Sequence, residues 1–123
     1  MVRDHGLKVN AVNANIFGDP EFKYGAFTNT DPRIRQKAVD LSKKSVDMAR
    51  EMNAGISSLW PGQDGFDYYF QNDYYRQWDS TLSALQEVCG YAPDMRFGYE
   101  YKPREPRMYS LVSNAAKAVL LKG

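Results

Sequence analysis

One cysteine, one histidine and no long apolar run set the first limits on this chain of 123 residues. Cys89 alone cannot form an internal disulfide, which fits a reducing compartment and reads as a small buried hydrophobe in an amphipathic helix. No apolar stretch is long enough to span a bilayer, and the N-terminal residues Met1-Val2-Arg3-Asp4-His5-Gly6 have no apolar signal core. A cytoplasmic protein without a membrane partner is the expectation. Charge of one sign is also missing. Sixteen Lys and Arg face fifteen Asp and Glu, a net of +1, with neither the basic stripe of a nucleic-acid binder nor an acidic tail. What is abundant is aromatic: nine Tyr, six Phe and two Trp, many between Trp60 and Trp78. Aromatic residues at that density wall a pocket or an interface.

The length allows at most one domain, taken as residues 1–123. Residues 7–16 alternate as a strand, with Val9, Ala11, Asn13 and Asn15 on one face. Asparagines are unusual in strands, so that face is expected to look into a polar cavity. Asp31-Pro32 reads as an N-cap followed by proline at the first helical position, and opens a helix over 32–52. Its stripe is Ile34, Ala38, Leu41, Ser45, Met48 and Met52, widened by Val46 and Ala49. A short strand over 56–60 leads into a long loop, 61–72, and loops of that length are often functional. Two aspartates there, Asp64 and Asp67, are turn formers more often than ligands. A second helix over 73–88 carries Tyr75, Trp78, Leu82, Leu85 and Cys89, and a last helix over 113–121 opens on Ser113. Strand and helix alternate, which predicts parallel strands with right-handed crossovers.

The last strand is read from Met95-Arg96-Phe97-Gly98-Tyr99-Glu100-Tyr101-Lys102, ended by Pro103. Met95, Phe97 and Tyr99 share a helix-packing face, and Gly98, Glu100 and Lys102 share the other. A Glu/Lys pair about 7 Å apart on a strand face is most often a solvated ion pair. At the C-terminal end of a parallel strand it is also where a carboxylate takes a hard cation and a lysine handles a substrate oxygen. A polar inner face suits the mouth of a (β/α)8 barrel, but such a barrel takes about 250 residues. The chain is either part of one or a small open α/β domain.

Three blocks carry a resemblance: Asn15-Ile16-Phe17 with Phe22-Lys23-Tyr24-Gly25-Ala26-Phe27-Thr28, then Leu59-Trp60, then Glu100-Tyr101-Lys102-Pro103-Arg104-Glu105-Pro106-Arg107. In order and spacing they resemble the central part of the xylose isomerase-like TIM barrels, the group of xylose isomerase and the L-rhamnose isomerase-like enzymes. The resemblance implies a partial (β/α)8 barrel of about three βα units. It implies an aldose–ketose isomerase acting on a monosaccharide with Mg²⁺, Mn²⁺ or Co²⁺, homo-oligomeric at full length. It matches Glu100 to a metal-bridging carboxylate and Lys102 to the lysine beside the transferred hydride. Trp60 matches the wall of the sugar pocket, with Thr28 and Asn15 close to substrate. Glu105 and Arg107 match positions that brace the site. The family's other His, Asp and Glu ligands lie on strands not found here, His5 matches none of them, and Asn29 stands where some members carry histidine. A fragment of such an isomerase is therefore expected. The alternatives are a sugar epimerase or another metal-dependent barrel of the same superfamily, such as a zinc endonuclease-like hydrolase, or a non-catalytic remnant. Tyr68, Tyr69 and Phe70 read as a substrate lid or an oligomer contact.

Overall fold

A computed structural model describes residues 3–122. Three parallel strands form the central sheet: β1 (Ala11–Ala14), β2 (Ile56–Leu59) and β4 (Phe97–Tyr99), in the order β1-β2-β4. Helix α1 (Pro32–Glu51) connects β1 to β2, and α2 (Tyr74–Tyr91) leads from β2 to β4. A short helix α3 (Ala115–Leu120) follows, capped by Asn114 rather than by Ser113. The expected partial barrel of βα units is what the chain forms. No helix of the described residues is long and apolar enough to cross a membrane.

Helix α1 begins as its first residues dictate. Asp31 stays extended and accepts a hydrogen bond from the Arg33 amide at 2.8 Å, with Pro32 next in the helix. It ends at Asn53, whose φ of 53° is left-handed. The Asn53 amide then reaches the Arg50 carbonyl and the Ala54 amide the Ala49 carbonyl, which satisfies the last turn.

The register aligns Ala14 with Leu59 and Leu59 with Tyr99 in one row across the sheet. Alternation puts Val12, Ala14, Ser57, Leu59, Phe97 and Tyr99 on one face. That face meets the helices, and Ala14, Leu59 and Phe97 join Ala38, Val39, Ala84 and Val88 in the core. The opposite face carries Ala11, Asn13, Ile56, Ser58 and Gly98, none of them buried. This division is the one expected for β4.

The α2 stripe differs from expectation by about one residue, and the α1 stripe differs only in part. In α1 the buried positions are Ala38, Val39, Ser42, Ser45, Val46 and Ala49, while Met48 and Met52 are exposed. In α2 they are Gln77, Thr81, Ala84 and Val88, and Tyr75 is 87% exposed. Hydropathy misplaces part of the stripe because several buried polar groups find partners close by, although Ser45 Oγ and Gln77 Oε1 have none. Ser42 Oγ donates to the Ala38 carbonyl, Thr81 Oγ1 to the Gln77 carbonyl and Gln77 Nε2 to the Gly65 carbonyl. The long loop also holds β3 (Gly65–Phe66), which pairs antiparallel with β5 (Tyr109–Ser110).

Candidate active site

The candidate residues Asn15, Trp60 and Glu100 each follow the last residue of a central strand, one step past the aligned row of Ala14, Leu59 and Tyr99. Polar groups at the C-terminal ends of parallel strands are where α/β barrels place their chemistry. The Glu100 amide still donates to the Leu59 carbonyl at 2.9 Å, so the ladder runs one bond beyond β4. The chain then leaves the sheet, and the Lys102 amide turns to the Val112 carbonyl at 3.4 Å.

Trp60, Glu100 and Lys102 line one small crevice together with Pro61, Gly62 and Asp64. The Trp60 ring packs on Phe17, with centroids 4.5 Å apart. Gly62 lies against the same indole so closely that a Cβ there would stand 2.8 Å from it. Lys102 Nζ sits 5.5 Å from the Trp60 ring centre and 2.8 Å from a Glu105 carboxylate oxygen. The Lys102 ammonium holds the Glu105 carboxyl below its usual range. This ion pair is exposed, and a contact of that kind exchanges readily for another oxygen.

The other predicted residues, Asn15, Thr28, Glu105 and Arg107, are not part of the crevice lining. Asn15 is exposed and its Oδ1 accepts from the Gly18 amide at 3.0 Å. Arg107 braces the loops: it donates to the Asp67 carboxylate at 2.8 Å, to the Gln63 carbonyl at 3.3 Å and to the Lys23 carbonyl. Thr28 is buried, and its hydroxyl donates to Asp64 at 2.9 Å.

Asp64 is the residue that sequence reasoning passed over. Its carboxylate is buried and accepts from the amides of Ala26, Phe27 and Thr28 at 2.5, 3.2 and 3.4 Å, besides the Thr28 hydroxyl. Asp67, the second aspartate of that loop, accepts from the Met108 amide and from Arg107. Each ties its loop to distant chain, where the sequence reading weighed a turn former against a ligand. The aromatic residues cluster nearby: Phe66 stacks on Tyr109 at 5.1 Å and meets Tyr74 edge-on at 4.8 Å, while Phe70 is 99% exposed.

Burial pushes the Asp64 carboxyl up from 3.8 to about 6, against the pull of its hydrogen bonds. Between those two values the folded chain keeps a proton that the unfolded chain has released. The stability this supplies is fully present below the unfolded pKa and is lost as pH rises through about 6, an effect of about 3 kcal/mol. The surface carboxylates with lowered pKa, such as Asp67 and Glu87, act in the opposite sense and cancel in a comparison with Asp64→Asn. Urea denaturation of both proteins near pH 3.5 and near pH 7.5 is expected to give a stability difference that shifts by about 3 kcal/mol between the two conditions. Parallel behaviour of the two proteins excludes it.

Glu100 offers one oxygen donor to the crevice. No group of three His, Cys, Asp or Glu side chains among the described residues could hold a metal ion. Hard divalent cations take about six oxygen ligands, so these residues alone do not make a cation site.

Parallel strands joined through helices, with a polar crevice at their C-terminal ends, are the arrangement of a partial TIM barrel. The chain belongs to the xylose isomerase-like TIM barrel family, whose model matches residues 1–119. It is 41% identical to the xylose isomerase of Thermus thermophilus over 106 residues, 83% of this chain and 27% of that protein. It is 30% identical to the xylose isomerase of Bacillus pumilus over 122 residues, 96% of this chain and again 27% of the relative. The chain thus spans about a quarter of the curated relatives it matches. Among solved structures, a D-tagatose 3-epimerase-like protein superposes with a TM-score of 0.67 at 19% identity, covering 86% of this chain and 37% of the other. That likeness is one of fold.

Proposed function

We propose that this chain supplies one wall of the active site of a divalent-metal-dependent aldose–ketose isomerase. The observation that carries the reading is the meeting of Trp60, Glu100 and Lys102 in one crevice at the strand ends, in a chain 41% identical to a xylose isomerase. In this reading Glu100 gives a carboxylate oxygen to Mg²⁺, Mn²⁺ or Co²⁺, whose other ligands come from outside the described residues. The Lys102 ammonium has three donors on a flexible stem and exchanges Glu105 for a sugar oxygen, holding it by a charge-assisted hydrogen bond. The Trp60 ring gives the carbon face of the sugar an apolar wall. Asn15 contributes an amide beside the substrate, and Thr28 shapes the loop next to it through Asp64. Glu105 and Arg107 hold the segment after Lys102 in place. The substrate is a monosaccharide, and the full-length protein is a homo-oligomer in the cytoplasm.

The test is a hybrid enzyme in which the 106 matched residues replace their counterparts in the Thermus thermophilus xylose isomerase. The hybrid is expected to convert an aldose to its ketose with Mg²⁺ or Mn²⁺. A folded, metal-loaded hybrid that converts no aldose overturns the reading. The 123-residue chain by itself is expected to convert none.

A further inference from the structure

Three stretches of chain meet at Asp64: the loop 25–28, its own loop 60–64 and the segment 110–112, which leads out of the β3–β5 pairing. Its carboxylate takes four donors from 26–28. Its amide donates to the Pro61 carbonyl at 3.0 Å, and its carbonyl accepts from the Leu111 amide at 3.0 Å. Two of the stretches, 60–64 and 110–112, line the crevice. The Gly62 amide closes a turn on the Trp60 carbonyl at 2.9 Å, with the glycine packed against the indole. The Val112 carbonyl takes the Lys102 amide. Gly25 leaves the space that the latch needs, since a Cβ at that position would run into the Thr28 hydroxyl and lie 3.1 Å from Asp64 Oδ1. The side chain is 2% exposed as a residue and its oxygens are occupied, so it is not a group that meets substrate.

We infer that Asp64 is a positioning residue, whose buried carboxylate ties the loop 25–28 to the backbone turn that carries the Trp60 wall and the Lys102 segment. The inference rests on the crevice being the sugar site, and it is tested on the chain itself so that its outcome does not depend on isomerase activity. The geometry requires an acceptor at both oxygens. Asparagine keeps the size but turns an NH₂ toward one set of donors, leaving buried amides unpaired. Burial and the Asp64 charge raise the Tyr99 pKa, and the charged residues Glu100 and Lys102 share the crevice lining with Asp64.

In a Trp78→Phe background Trp60 is the only tryptophan, and its fluorescence reports the wall. Asp64→Asn is expected to speed amide exchange at 26–28 by about tenfold or more, with the protected amides of α1 and α2 unchanged. The Trp60 emission maximum is expected to shift and its acrylamide quenching to rise about twofold as the ring gains water and freedom. Faster exchange at 26–28 with an unchanged Trp60 signal would make Asp64 a purely structural latch and overturn the inference. If Asp64→Asn loses its helices altogether, Thr28→Val removes one of the four bonds and takes its place. A Thr28→Val protein with the wild-type Trp60 signal overturns the inference as well.

Discussion

Lys102→Met in the hybrid isomerase is expected to lower kcat by about 10²- to 10⁴-fold, the range for losing a positioned side chain that handles a proton or a developing charge. Methionine keeps the length of the lysine stem and its packing beside Trp60, and removes only the ammonium. The ion pair it breaks is exposed, with 38% and 78% of the two side chains accessible, so stability should change little. Glu105→Gln breaks the same pair from the other side and is the control. It should leave kcat within about tenfold of the parent, because Lys102 keeps its donors. Equal losses for the two variants would assign the effect to the pair as a brace, not to the ammonium.

Gly65→Ala is expected to destabilise the chain by about 4 kcal/mol. The residue sits at φ 155°, where an L side chain is strained by about 2 kcal/mol. Its Cβ would be driven into the Tyr109 carbonyl and lie 3.0 Å from the Ser110 Cα, and relieving such a clash costs about 2 kcal/mol more. The neighbour is backbone, so no rotamer change can give way. Moving Gly65 also disturbs the bonds that its carbonyl accepts from Asn72 at 3.1 Å and Gln77 at 3.2 Å, and shifts Asp64 beside it. Denaturant titration checks this. An unchanged midpoint would mean that the β3–β5 pairing yields without cost.

Where the sequence was readable, the physics was local. Asp31-Pro32 marks the start of α1 because cap and first turn are adjacent in the chain. The alternation at Phe97, Gly98 and Tyr99 separates core from open face because pleating acts residue by residue. Trp60, Glu100 and Lys102 were legible as a group only through the resemblance, since nothing local says that β2 and β4 are neighbours. Asp64 was not legible. Its partners lie 36 to 38 residues upstream, and Asp-Gly in a loop reads as a turn. β3 and β5 are two residues each, too short for any period to show. The helical stripes were shifted in part because Gln77, Thr81 and Ser42 are buried with partners on or near their own helix.

The aligned row of Ala14, Leu59 and Tyr99 has a consequence for how such a protein can diverge. The backbone framework is complete, or one bond short of complete, just where the candidate site residues begin. Substitutions at Asn15, Trp60 or Glu100 can therefore alter what is recognised while the register behind them stays intact, and insertions between 67 and 72 lengthen the rim without crossing that row. In the proposed reading, selection on the ligand and selection on the strand register act on separate residues, so either can drift without dragging the other along.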